Sequence, residues 1–241
     1  MERLIFCEGV DDAKALRGIL RLAFKLTTTR SKRFSESREA VSFGLSDGST
    51  LDIVPAHSKA QATDRSLEEF LGTATPTPCP LVGLSFDPDE EAPERWDQRI
   101  TSLLSTQASQ VTHPSAHEWH FEQRILLAIP WSVSAPVFDS LEDTMNLERL
   151  AVHATKQVFP KLSPLVEKWL NELAEAQGSS ARSWKEAALL WHAATVPKIP
   201  EASFFDKVFE QQHEVAAAAV SAFRTQPSWP ALERLATLPV E

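Results

Sequence analysis

Tyrosine is absent from the chain, so no tyrosyl nucleophile is available to it. Two cysteines, Cys7 and Cys79, are too few for a disulfide framework or a zinc site. Each sits among apolar residues, where cysteine acts as a small hydrophobe. Any metal chemistry must therefore use oxygen ligands. Glycine is scarce, at seven residues, and none falls in GxGxxG or GxxxxGK[ST]. That excludes a dinucleotide fingerprint and a nucleotide-hydrolysing phosphate loop. No stretch approaches the ~18 apolar residues of a membrane span, and Met1-Glu2-Arg3-Leu4 opens no secretory signal. The chain is expected in the cytoplasm, with no membrane partner. Basic charge is also short: 24 Lys and Arg face 33 Asp and Glu, a net charge of -9. This is the wrong sign for wrapping nucleic acid with the whole surface, so any contact with a polyanion must be local.

What is present suffices for one α/β domain, or one domain with an appendage: 241 residues, 43% hydrophobic and 24% charged. Arg3 to Cys7 is a short apolar run ending at Glu8-Gly9. Asp11-Asp12 then open an apolar stripe at Leu16, Ile19, Leu20, Ala23 and Phe24, which predicts strand, tight turn and helix. Val41, Phe43 and Leu45 alternate, Asp47-Gly48 marks a turn, and Leu51 and Ile53 alternate again, as in a hairpin. After a loop over 73–80, Leu81 to Phe86 reads as a fully buried strand of the kind found at the centre of a parallel sheet. Pro93 to Leu104 follows as a helix with Trp96, Ile100, Leu103 and Leu104 on one face. A third strand runs from Gln123 to Ile129. From Ser140 onward the pattern is helical, over about 140–158, 162–176, 183–194 and 203–224. Residues 1–135 thus predict an α/β core of Rossmann type, a mostly parallel sheet flanked by helices. Residues 136–241 predict a helical part that completes the core and packs as an appendage.

Ligands of such sheets sit at the carboxyl ends of the strands, and the acidic clusters fall there. Glu8 follows the first strand, Asp87 and Asp89 follow the central one, and Ser140-Leu-Glu-Asp143 comes after the third. Carboxylates gathered in one crevice repel each other unless a hard cation neutralises them. Mg²⁺ prefers such oxygen donors and meets substrates through phosphate oxygens.

Glu8-Gly9-Val10-Asp11-Asp12, after a strand and opening a helix, resembles the E-G-x-x-D signature of the Toprim superfamily. Asp87-Pro88-Asp89 resembles that superfamily's D-x-D strand end. Ser140-Leu141-Glu142 is similar to the S-x-E element of OLD-type nucleases, and Lys185 to the lysine that opens their late helix. Over roughly residues 2–195 the chain looks like the small stand-alone Toprim-like proteins of bacteria. The resemblance implies a Toprim-like fold and a Mg²⁺- or Mn²⁺-dependent nuclease acting on DNA or RNA by two-metal hydrolysis. It implies Glu8 as general acid/base or metal ligand, with Asp12 holding the same ion. It implies metal ligation by Asp87 and Asp89, a second site completed by Ser140 and Glu142, and Lys185 stabilising charge on the scissile phosphate. By analogy it implies an ATPase partner or a homodimer, and a role as a phage-defence effector. Two departures stand out. The absence of tyrosine rules out the covalent step of topoisomerases, and Glu91 stands where a third Asp is frequent.

Blander readings run alongside. Ser140-x-x-Asp143 and Ser183-x-x-Glu186 both satisfy a helix capping box, which leaves Lys185 as a solvated first-turn residue. The seven histidines read as structural or surface, since Pro114 separates His113 from His117 and spoils a helical metal pair. The scattered tryptophans read as packing. Leu84-Ser-Phe-Asp-Pro-Asp89 also matches a phosphatase D-x-D of haloacid-dehalogenase type, but that motif belongs near the N-terminus and is followed by Thr or Val, where this chain has Glu90. Against the net acidity, Lys14 to Arg38 holds eight basic residues and one acid, Glu36. Lys14, Arg17, Arg21 and Lys25 share one helix face that starts at the Glu8–Asp12 cluster, as a phosphate-positioning ridge requires. The alternative to the enzyme is a non-catalytic module of the same fold that binds nucleic acid or a protein through this ridge and the helical half.

Overall fold

A computed structural model describes residues 2–29, 32–35, 38–56, 80–88, 93–108, 110–132, 146–178, 183–195 and 213–237. Strand β1 (Glu2–Cys7) lies inside a mixed sheet because both of its faces are apolar. Leu4 and Phe6 are buried on one side, Ile5 and Cys7 on the other. It pairs in parallel with β5 (Thr50–Pro55) and with β6 (Leu81–Phe86), and β6 pairs in parallel with β9 (Arg124–Pro130). β6 is buried along its whole length, as its uninterrupted apolar sequence requires.

The expected mostly parallel sheet is confined to these four central strands, and both edges are antiparallel. On one side β4 (Arg38–Gly44) pairs with β5 and carries β2 (Thr27–Thr28) and β3 (Lys32–Ser35). The β4–β5 turn uses Gly48 at φ +80°, where a side chain is strained. On the other side β8 (Glu118–Phe121) joins β9 and is followed outward by β7 (Val111–Ser115). Sequence periodicity misses β7 and β8 because Thr112 to Ser115 are exposed, Pro114 interrupts them, and neither strand is long.

Helix α1 (Val10–Phe24) and helix α2 (Pro93–Gln107) cover opposite faces of the sheet. On the α2 face, Trp96, Ile100 and Leu104 pack with Phe86, Trp119 and Phe121. The other face is shared by α1 and five later helices: α3 (Leu147–Val158), α4 (Ser163–Gln177), α5 (Trp184–Thr195), α6 (His213–Arg224) and α7 (Trp229–Thr237). One apolar core runs from Ile5, Leu16 and Ile129 through Leu150, Trp191 and Phe223 to Leu235. The later helices therefore build the core rather than sit beside it.

Helix α7 has no counterpart in the sequence reading, which ends its last helix at 224. Pro227 and Pro230 punctuate the segment, and Pro230 sits in the first helical turn, where its missing N–H costs nothing. α7 crosses directly over Gly83 of β6. A Cβ there would meet Leu235 Cδ1 at 2.7 Å and Ile129 Cδ1 at 3.0 Å, so only glycine admits this approach. Buried Arg3 ties the same helix down by donating to the Leu235 carbonyl at 2.8 Å and pairing with Asp47. Among the described residues no helix is long and apolar enough to cross a membrane.

Candidate functional site

The carboxyl ends of β1, β6 and β9 open beside the start of α1. Glu8 leaves β1, and its Oε2 accepts from the Asp87 backbone N–H at 3.3 Å, across 79 residues of sequence. Asp12, in the first turn of α1, is 7% exposed. Its Oδ2 accepts from the Gly9 N–H at 3.1 Å and its Oδ1 from the Trp131 indole N–H at 2.7 Å. Asp87 reaches the N-terminus of α3, where its Oδ1 accepts from the Leu147 N–H at 2.8 Å. Asn146 caps the same helix, accepting from the Arg149 N–H at 2.9 Å. Glu148 stands in the first turn of α3 and acts on Asp87 through its charge.

Electrostatics mark the place. Burial pushes the Asp12 carboxyl up to about 7, the Glu8 charge adds to this, and the Trp131 and Gly9 N–H groups oppose it. Burial likewise pushes Asp87 well above the usual carboxylate range, followed by the charges of Asp12, Glu148 and Glu8, against the Leu147 N–H. The Cys7 thiol beneath them rises by burial and by the charges of Asp12 and Glu8. Four acids from three separate stretches of chain therefore feel one another in a poorly solvated crevice.

Of the residues singled out from sequence, Glu8, Asp12 and Asp87 are brought together. Asp89, Ser140 and Glu142 lie outside the described residues. Lys185 is exposed in the first turn of α5, behind a capping box in which the Glu186 N–H donates to Ser183 Oγ and the Ser183 N–H to Glu186 Oε2, both at 3.3 Å. The blander reading of the Ser183 motif is thus realised. On α1, Arg21 is exposed, Arg17 is half-buried, and Lys14 pairs with Asp11 at 3.5 Å, whereas exposed Lys25 lies past the helix end at its left-handed C-cap, φ 59°, and leaves the expected helix face. Among the described residues no group of three or more His, Cys, Asp and Glu is arranged to hold a metal ion.

Sequence reasoning missed Glu148 and Trp131. A signal for Glu148 exists: Asn146-Leu-Glu148 repeats the polar-x-Glu spacing of Ser140-Leu-Glu142 six residues later, and Asn is a strong helix cap. Trp131 carries no such signal, since a tryptophan after a strand reads as core. A second ionisable cluster was missed at the β7–β8 edge. Asp97 of α2 faces His117 Nδ1 at 3.2 Å and His113 Nε2 at 3.6 Å. Glu118 accepts from Arg234 at 2.8 Å and meets His120 at 2.6 Å.

No family model matches the chain, and comparison with curated proteins finds no match. Its fold is similar to the crystal structure of hypothetical protein PH0156 from Pyrococcus horikoshii OT3. The two superpose with a TM-score of 0.72 over 97% of this chain and 98% of that chain, at 14% identity. At that identity the likeness is one of fold.

Proposed function

We propose that the chain is a Toprim-like nuclease that hydrolyses phosphodiester bonds of DNA or RNA with Mg²⁺ or Mn²⁺. The observation that carries this reading is the hydrogen bond between Glu8 and the Asp87 backbone. It gathers acids from adjacent parallel strands at the sheet edge where ligands of α/β folds bind. The donor set fits the cation: the acids offer only carboxylate oxygens, as a hard dication prefers. Burial is the main cause of the raised Asp12 and Asp87 carboxyl groups; the Glu8 charge adds to the first, and the charges of Asp12, Glu148 and Glu8 add to the second, a repulsion that a dication would relieve.

Asp12, Asp87 and Glu148 contribute carboxylates from the protein side but form no complete metal-holding group among the described residues, so the ligand set would be completed by Asp89, Ser140 and Glu142 of the sequence motifs. When bound, the cation supplies Lewis acidity toward a phosphoryl oxygen and toward water. Glu8 is less buried than Asp12, so it is placed to take or give a proton. Exposed Arg21 on α1 and exposed Lys25 at its C-cap would extend the site along a phosphate backbone.

The test is cleavage of single- and double-stranded DNA and RNA with Mn²⁺ or Mg²⁺. Glu8→Gln and Asp87→Asn are each expected to lower the rate by about a hundredfold or more, with circular dichroism unchanged. A wild-type protein that cleaves none of these substrates with either metal contradicts the nuclease and leaves the non-catalytic interaction module.

A further inference from the structure

We propose that Trp131 is a positioning residue that fixes the Asp12 carboxylate through its indole N–H and so makes the α6–α7 corner part of the site's scaffold. The consequence for metal affinity rests on the reading above, whereas the contact itself does not.

Trp131 immediately follows β9, and its backbone N–H donates to the Phe86 carbonyl at 3.0 Å, one residue before Asp87. The side chain is thereby anchored to the strand that delivers Asp87. Its ring is fully buried, and Nε1 lies 2.7 Å from Asp12 Oδ1, 119 residues away in sequence. An indole is a donor only, so a buried one needs an acceptor and cannot itself compete for a cation. With the Gly9 N–H on Oδ2, each oxygen of Asp12 receives one donor, which sets the carboxylate plane and leaves lone pairs on both oxygens. Glu8 repels this carboxylate, and the two donors hold it in place.

Trp131 is in turn held by the end of the chain. Its ring packs on Phe223 of α6 at 5.1 Å between centroids, and Phe223 meets Trp229 of α7 edge-on. Ser132 Oγ donates to Gln226 Oε1 and Ser228 Oγ to the Pro130 carbonyl, each at 3.0 Å, binding both flanks of Trp131 to the α6–α7 corner. A chain of direct contacts thus runs from the last two helices to a carboxylate near the start of the chain.

The test compares Mn²⁺ affinity, read by electron paramagnetic resonance, in four proteins: wild type, Trp131→Phe, Asp12→Ala and the double variant. Phenylalanine keeps most of the packing and removes the donor. Trp131→Phe is expected to weaken Mn²⁺ binding about ten- to a hundredfold in the wild-type background. It should have no further effect once Asp12 is gone. Unchanged affinity in the single variant overturns the proposal, as does an equal loss in the Asp12→Ala background, which marks a merely structural role. A second arm needs no metal and no Trp131 variant: hydrogen exchange of the Trp131 indole proton. Exchange is expected to be slow in the wild type and in Asp12→Asn, which keeps an acceptor, and fast in Asp12→Ala. The same rate in all three overturns the contact. A wild type that binds no Mn²⁺ but shows this exchange pattern refutes the metal reading while the positioning stands.

Discussion

The two ends of this sheet handle charge in opposite ways. At the edge carrying β7 and β8, acids meet bases: Asp97 lies between His113 and His117, and Glu118 between Arg234 and His120. Burial pushes the Glu118 carboxyl up, but His120, Arg234 and Ser115 outweigh it and bring the group below its usual range. At the carboxyl ends of β1 and β6, acids meet acids, and the Gly9, Trp131 and Leu147 groups that donate to Asp12 and Asp87 are neutral N–H groups. Their carboxyl groups move upward instead. A self-compensated cluster is sufficiently explained by folding. A cluster of like charges destabilises the fold, and such strain between buried charges is characteristic of sites shaped for a ligand.

The contrast predicts opposite effects for the same chemical change, acid to amide. Asp87→Asn removes a repelled charge and keeps the oxygen that caps α3. Without divalent ions, near pH 8, it is expected to raise stability by roughly 1–2 kcal/mol, or a few degrees in melting temperature. A lower melting temperature breaks the comparison. Glu118→Gln removes an attracted charge and should have a smaller effect of opposite sign, a loss of about 1 kcal/mol in urea unfolding near neutral pH. The sign with pH follows from the lowered carboxyl group. Its stabilisation is present above the ordinary glutamate range and disappears as pH falls through the folded value. Wild-type and Glu118→Gln unfolding curves should therefore converge in strong acid, and a difference that persists there sharpens the assignment toward packing.

The sheet's centre was legible in the sequence because its strands bury both faces. Leu81 to Phe86 is bounded in the fold as its apolar run predicts, and Glu8 and Asp87 follow from strand ends alone. The edges were less legible, since Thr112 to Ser115 are exposed and carry no alternation. α7 was invisible for a different reason. Its nine residues follow Pro227 and hold Pro230 in their first turn, and they show their apolar face only once Gly83 provides the groove for Leu235. Within the site, Asp12 was singled out only through the resemblance of Glu8-Gly9-Val10-Asp11-Asp12 to an E-G-x-x-D signature. Its partner Trp131 was not, because nothing local to a tryptophan 119 residues away marks it as a hydrogen-bond donor to a carboxylate. Glu148 was passed over because two polar-x-Glu registers lie six residues apart, and only the fold shows that the second one reaches Asp87.

The central claim is that these acids are strained until a dication meets them, and thermal unfolding against pH, with and without millimolar Mn²⁺, tests it most directly. Asp12 is protonated in the fold up to about 7, against an ordinary value of 3.8. Its contribution to stability is therefore fully present below the ordinary value and is lost as pH rises through about 7. The account predicts that the metal-free protein loses stability across that interval, and that Mn²⁺ raises the melting temperature by an amount that grows from about pH 6 to about pH 8. A melting temperature unmoved by Mn²⁺ near pH 8 would contradict it.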